Sequence, residues 1–318
     1  MTHANQQLET ALANLDTEVD AAPRSMGRIR GTGSERRIEW HGLSFLVPSD
    51  WELVRHGSSP ALGSLGFVDR RRERMTLSWA KTERVPDLER LTHELGREHS
   101  DSGSVAPFEL GAFRGLVVDT QGGRETRAVT YHAESSRLLE LRISETARGG
   151  SAETIVRSFR IAPSDDIERR WRAFGLDVCT PNDFALASAA VHPLDVTLRF
   201  ERAFAGRMVP LLRLSARRLG MAATWFRGDF ARLLAEKAPG VSFGVLQACE
   251  LGDYSGFVAT GKGADARWVR LVGRAREERA LVFRAEDENA IYLYQSEGPV
   301  GRALAPQSFV PRADGAEP

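Results

Sequence analysis

The chain reads as an α+β protein: two tandem copies of a mainly antiparallel β-sheet domain with packed helices, an α/β/α sandwich. Three observations predict this. Several blocks recur in the same order along the 318 residues. Runs of alternating apolar and polar residues are joined by short turns, which favours antiparallel pairing. Each copy also holds segments of helical period, and helices laid on such a sheet make an α+β domain.

The recurrence comes first, because missing it would misassign the whole chain. "GLSFLVPSDWEL" from Gly42 returns as "GLDVCTPNDFAL" from Gly175, an offset of 133 (175 minus 42). "FELGAFRGLVV" from Phe108 returns as "CELGDYSGFVA" from Cys249, an offset of 141 (249 minus 108). "VRSFRIAP" from Val156 meets "APQSFVP" from Ala305, with Ser158 on Ser308 at an offset of 150 (308 minus 158). Chance seldom places three matches in order. The predicted organisation is an N-terminal arm and linker over 1–35, a first repeat over 36–165, a second over 166–313 and a disordered tail over 314–318.

Within the first repeat, residues 43–47 alternate and Pro48 ends the strand. "PSDW" and "PNDF" read as turns whose aromatic residues, Trp51 and Phe184, plug the core. "LGSLGFVD" and "RMTLSWAK" read as strands around a charged turn. "PDLERLTHELGREH" sets Leu88, Leu91 and Leu95 at helical spacing, with Pro86 near the start. Its counterpart is "TWFRGDFARLLAEK", with Phe226, Phe230 and Leu233 on one face. Strands follow at 108–119, 125–133 and 137–145, then a short helix from Ser151 carrying Ile155, Val156 and Phe159. The second repeat places strands at 249–260, 266–274, 279–285 and 290–295.

A strand ending in P-x-D-aromatic, a central helix, a β-meander and a closing helix with "SF" together resemble the PsbP-like and DcrB-like domains. That superfamily includes the photosystem II PsbP protein, a Ran-binding nuclear import factor and the Eag chaperones of type VI secretion. The resemblance spans about 280 residues on loose motifs. It implies an α/β/α sandwich used for binding or assembly, and it transfers no functional residue, because those proteins share a fold rather than a site.

Composition narrows the functional classes. Lys plus Arg and Asp plus Glu are 43 each, so the chain is not built as a general binder of nucleic acid or anionic membrane. The run Arg70, Arg71, Arg72, Arg74 is a local basic patch, read here as the solvated end of a hairpin. No apolar run nears the ~20 residues of a membrane helix. The N-terminus lacks a basic start followed by an apolar core, so a cytoplasmic location is expected.

The search for chemistry returns no catalytic, cofactor-binding or metal-binding residue. "GFVATGKG" from Gly256 approaches a phosphate loop, but Gly263 stands where Ser or Thr is needed, and Lys262 falls on Gln121 of the other copy. The chain then continues into the β-rich run "ADARWVRLVGRA" rather than a helix, so a strand, a Gly-rich turn and a second strand are expected. The seven histidines form no H-x-H or H-E-x-x-H pair. Cys179 and Cys249 belong to no C-x-x-C pair and read as small buried side chains. Glu109 and Glu250 occupy equivalent places in the most faithful block, E-L-G-x-[FY]-x-G, and suggest a bridged turn.

The arm offers the candidate partner-binding residues. Leu8, Leu12, Leu15 and Val19 step by 4, 3 and 4, the seam spacing of a coiled coil. They could dock on a protein partner or a second copy, or fold back on their own domain. The sequence therefore points to a non-catalytic cytoplasmic adaptor, chaperone or assembly factor with a protein partner and no cofactor. Its rival is an enzyme or small-ligand binder with a site in the cleft between repeats.

Overall fold

A computed structural model describes residues 35–57, 59–99, 103–120, 123–145, 151–163, 166–202, 212–239, 241–252, 254–263 and 276–310. Leu8, Leu12, Leu15 and Val19, the predicted strand 266–274 and the tail lie outside the described residues. The chain divides between Asp165 and Asp166 into two compact units.

The first unit holds β1 (Glu35–Trp40), β2 (Leu43–Pro48), β3 (Glu52–His56), β4 (Leu62–Val68), β5 (Glu73–Lys81), α1 (Leu88–His99), β6 (Ser104–Leu110), β7 (Phe113–Thr120), β8 (Gly123–His132), β9 (Arg137–Glu145), α2 (Ser151–Ser158) and β10 (Arg160–Ile161). The second holds β11 (Glu168–Ala173), β12 (Leu176–Pro181), β13 (Ala185–His192), β14 (Asp195–Arg202), β15 (Leu212–Gly220), α3 (Ala222–Trp225), α4 (Phe230–Lys237), β16 (Val241–Phe243), β17 (Gln247–Leu251), β18 (Tyr254–Gly263), β19 (Arg276–Ala285), β20 (Ala290–Pro299) and a 3₁₀ turn, Pro306–Phe309. The predicted strand 108–119 is two strands, broken at Gly111, whose φ of +60° turns the chain.

Both large sheets have the same connectivity. The first runs β3-β4-β5-β9-β8-β7-β6, and the second runs β13-β14-β15-β20-β19-β18, with β17 and β16 both on β18. The leading hairpins match too: His41 and Gly42 turn at φ 50° and 78°, and Phe174 and Gly175 at 54° and 78°. Two consecutive left-handed residues fit the twist of a tight hairpin.

The α+β expectation is corrected by this architecture. Of the described residues, 60% are strand and 15% helix, so the protein is mostly β. One of the two expected helical layers is itself built of strands. In the first unit, Phe113 stacks edge-on against Phe159, which lies 5.7 Å from Phe45 of β2. Three positions along the strand, Leu116 faces the other way and meets α1 at Gly96. The hairpin β1–β2 with α2 thus covers one face of the large sheet and α1 the other. In the second unit, the Tyr294 hydroxyl donates to the Asp177 carbonyl on β12 at 3.0 Å, and the Tyr292 hydroxyl lies 3.0 Å from the Gly175 carbonyl just before that strand. Their neighbours Ile291 and Leu293 pack with Leu233 and Leu234 of α4 on the opposite face. Trp40, Phe45, Trp171 and Phe200 are among the fully buried side chains, and the Trp51 and Phe184 rings are buried as well.

The E-L-G-x-[FY]-x-G block is explained by its glycines. Gly111 and Gly252 both have φ +60°. At Gly115 a Cβ would stand 1.9 Å from the Arg127 carbonyl oxygen, and at Gly256 it would stand 2.8 Å from that of Val282. Glu109 bridges its turn to Arg114 at 3.5 Å, and Glu250 accepts from the Ser255 hydroxyl at 3.1 Å. "GFVATGKG" lies wholly within β18, and Gly261 and Lys262 pair with both β16 and β19. The expected Gly-rich turn is therefore strand there, and its backbone groups belong to the ladder rather than to a phosphate. We expect Gly115→Ala to lower stability by about 3 kcal/mol or more, read from urea unfolding, since strand backbone cannot yield as a side chain would.

One cross-strand pair works against the fold at neutral pH. Glu278 on β19 lies directly opposite Glu297 on β20. Burial, with the Glu297 charge added, pushes the Glu278 carboxyl up to about 7. A raised carboxyl keeps its proton in the folded state, so stability falls as pH rises from the ordinary value of 4.5 to about 7 and is level above that. Glu278→Gln should stabilise the protein by roughly 2–3 kcal/mol at pH 8 and little at pH 4, measured by thermal melts at both.

Candidate partner-binding groove

The helices α1 and α4 start alike. The Asp87 side chain accepts from the Arg90 amide at 3.0 Å, and Asp229 accepts from the Arg232 amide at 2.9 Å. Each is an N-cap that satisfies an orphan donor of the first turn. Arg90–Glu94 and Arg232–Glu236 then repeat one i,i+4 ion pair. This sets Leu88 on Phe230, Leu91 on Leu233, Thr92 on Leu234 and Gly96 on Ala238, an offset of 142 (229 minus 87). D-[LF]-x-R-L-x-x-E is thus a fourth recurring block.

What lies beneath the two helices differs. In the second unit, Phe226 and Phe230 rings are 4.7 Å apart, Phe230 lies 5.4 Å from Phe257, and Leu234 is fully buried among them. In the first unit, Leu116 replaces Phe257 and Thr92 replaces Leu234. No described residue of α1 is fully buried; Leu88, Leu91 and Leu95 are half-buried. The missing volume appears as a groove of about 700 Å³ beside α1. Thr92, His93, Gly96 and Arg97 form its helical wall, and Pro107, Phe108 and Leu116 its apolar floor. Arg114 at the rim pairs loosely with Glu89 and Glu109, all three exposed.

The sheet under α1 has also changed chemistry. The strand registers place Glu125, Arg127, Glu140 and Arg142 where the second unit has Ala280, Val282, Ile291 and Leu293. Arg127 reaches Glu125 at 2.7 Å, and Arg142 reaches Glu125 at 3.1 Å. Burial pushes Glu125 up, but hydrogen bonds and charge from Arg127 and Arg142 outweigh it and hold it below the usual carboxylate range. Glu140 goes the other way: burial, with Glu98 adding, leaves it raised despite both arginines. Arg127 also reaches Glu98 of α1 at 4.0 Å, so the contact between helix and floor is ionic here and buries less apolar area than the aliphatic floor of the second unit. Leu91 of α1 is accordingly half-buried where its counterpart Leu233 of α4 is buried.

The other candidate residues fall elsewhere. A second cavity in the first unit, about 520 Å³, is lined by His132, Phe113, Phe159, Arg157 and Arg160. Its groups are committed: His132 Nδ1 lies 2.9 Å from the Ser135 hydroxyl, and Arg160 donates to the carbonyls of Arg157 and Phe159. In the basic run, Arg74 is buried against Asp69, and Arg72 donates to the Glu145 carbonyl, so the four arginines do not form one free patch. Cys179 and Cys249 are half-buried rather than buried. Burial and Glu250 push the Cys249 thiol up, the opposite of an activated nucleophile. Tyr292, Glu288 and Arg218 cluster in the second unit, but burial, the Glu288 charge and its hydrogen bond push the phenol far up. That hydroxyl donates to Glu288 and accepts from Arg218, so its groups are committed to one another. Of the described residues that the sequence singled out, Glu109 lies at the groove's rim, whereas Thr92, Arg97, Pro107 and Arg114 of the groove were not singled out beforehand.

No protein-family model matches the chain, and no curated protein matches it. Among solved structures it is similar to the immunity protein TplEi of T6SS from Pseudomonas aeruginosa. One such structure, complexed with "L" peptide, shares 10% identity over 90% of both chains with a TM-score of 0.34. The apo structure shares 11% identity over 77% of this chain and 87% of that chain, with a TM-score of 0.35. A likeness of that degree settles neither fold nor function.

The ionic floor makes a pH-dependent prediction. Glu125 is depressed, so its contribution is present above the ordinary 4.5 and is lost as pH falls through its folded value. Arg127→Met should cost roughly 1–3 kcal/mol at pH 7 and clearly less at pH 3, read from urea midpoints.

Proposed function

We propose that this protein is a protein-binding module, and that it holds a segment of another protein in the groove beside α1. One observation carries this: the helix seat that aromatic and aliphatic residues fill in the second unit stands open in the first. Apolar floor, polar rim and a volume of about 700 Å³ fit a few anchoring side chains of a peptide segment. The floor of Pro107, Phe108 and Leu116 would take apolar anchors. Arg97 and Arg114, beside Glu89 and Glu109, would set direction through rim charges, which contribute more to orientation and on-rate than to affinity. A module of this kind serves an adaptor, chaperone or assembly factor, and we place the protein in that class.

The test closes the groove with the protein's own second solution. Thr92→Leu combined with Leu116→Phe restores two residues that pack the equivalent helix. The full chain is panned against a displayed peptide library, and selected peptides are titrated by calorimetry. We expect micromolar peptides with apolar anchors, and at least a tenfold loss, about 1.4 kcal/mol, in the double variant. The variant should melt no lower than the parent, since it adds buried apolar area. Peptides that bind the closed variant equally well would refute the assignment, as would a library that yields none.

A further inference from the structure

Each large sheet has two edges, and three of the four are guarded. An open edge is a template for another strand, so soluble proteins blunt it with charges, prolines, bulges or interruptions. β3 has a register shift between Leu53 and Arg55, and it carries Glu52 and an Arg55–Glu73 ion pair at 3.0 Å. β6 contains Pro107, which has no amide to offer. The far edge of the second sheet is split between the short strands β16 and β17.

β13 is different. Its sequence, ALASAAVH, has no charge at neutral imidazole and no proline, and its described residues pair with β14 alone. A bulge between Leu186 and Ser188 leaves Ser188–His192 in regular register. The direction of its backbone groups follows from β14. The Gly220 amide donates to the Leu194 carbonyl at 2.7 Å, so Leu194, Val196 and Leu198 turn their backbone groups towards β15. Asp195, Thr197 and Arg199 therefore face β13, and they meet His192, Ala190 and Ser188. The backbone groups of Ala189 and Val191 are left pointing outwards.

We infer that a second copy of this chain pairs with β13, antiparallel, about a two-fold axis through Ala190. In that register Ala189 of one copy meets Val191 of the other, and the outward groups of both pairs can form four backbone hydrogen bonds. The side chains match themselves: apolar on apolar at 189 and 191, polar on polar at Ser188 and His192, and methyl on methyl at Ala190. No like charges are opposed. A two-fold pairing uses the β13 edge of both copies, so it closes at two rather than growing into a fibre. Five paired residues cover less than the ~1,200 Å² of a standard interface, so the dimer should be weak, dissociating in about the 10–100 µM range.

The experiment uses the full chain with Cys179→Ser and Cys249→Ser. Residues facing each other as a non-hydrogen-bonded antiparallel pair lie within disulfide reach. Ala190→Cys should therefore cross-link to itself under mild oxidation. Ser188→Cys alone should not, whereas Ser188→Cys mixed with His192→Cys should. Separately, sedimentation velocity follows Ala190→Lys and Ala190→Glu. Residue 190 is exposed, so both should fold as the parent does, each should be monomeric, and mixing them should restore the dimer. A parent monomeric at about 200 µM, a dimer indifferent to Ala190→Lys, as one built by the N-terminal arm would be, or Ala190→Cys cross-linking no faster than Ser188→Cys would each overturn the inference. None of these outcomes depends on the groove beside α1.

Discussion

A large β-sheet has two faces, and both must be taken from water or made polar. That constraint organises each unit. One face is covered by a two-stranded hairpin that carries a fully buried tryptophan in each unit, Trp40 and Trp171. The other is assigned to a helix, and here the units part. Aliphatic residues under α4 draw it down and complete a core. Under α1, Arg127 and Arg142 pair with Glu125, Arg127 also reaches Glu98 of the helix, and the helix leucines are left half-buried. Groove and closed core are two answers to one geometrical demand.

Much of the strand and turn pattern was legible in the sequence, because period-two alternation and paired glycines are local signals. Trp51 and Phe184 follow equivalent turns and are buried, and the helix at Leu88–His99 lies where Leu88, Leu91 and Leu95 indicate. The fold class was not legible in full. Helices were counted as layers, when the hairpin 35–48 is the layer on one side. Alternation tells which residues of a strand share a face, but not which other element will cover that face. The Gly-rich stretch at 256–263 misled for a similar reason. Glycine suggests a turn, yet Gly256 is needed inside a strand, where a neighbouring carbonyl passes too close for a Cβ.

The groove was harder still. It arises from Thr92 and Leu116 being smaller or more polar than Leu234 and Phe257. Such a difference carries meaning only once the two helices are set in register. The shared Asp cap and Arg–Glu pair supply that register at a fourth offset, which the other three blocks do not reveal. The ionic floor is invisible in one strand at a time. Glu125 and Arg142 are neighbours only because β8 and β9 pair, and their alternation with apolar residues looks like an ordinary solvated face.

The cap and ion pair at the start of α1 and α4 have a broader consequence. They bind the helix to itself, through Asp87 and Arg90 in one unit and Asp229 and Arg232 in the other, and not to the sheet below. A segment whose shape is secured internally does not need its support to stay the same. The surface beneath can be rebuilt from oil to salt while the element above keeps its first turn and its direction. In engineering terms, the helix is a self-standing beam, and the space under it is the part of this molecule most open to redesign.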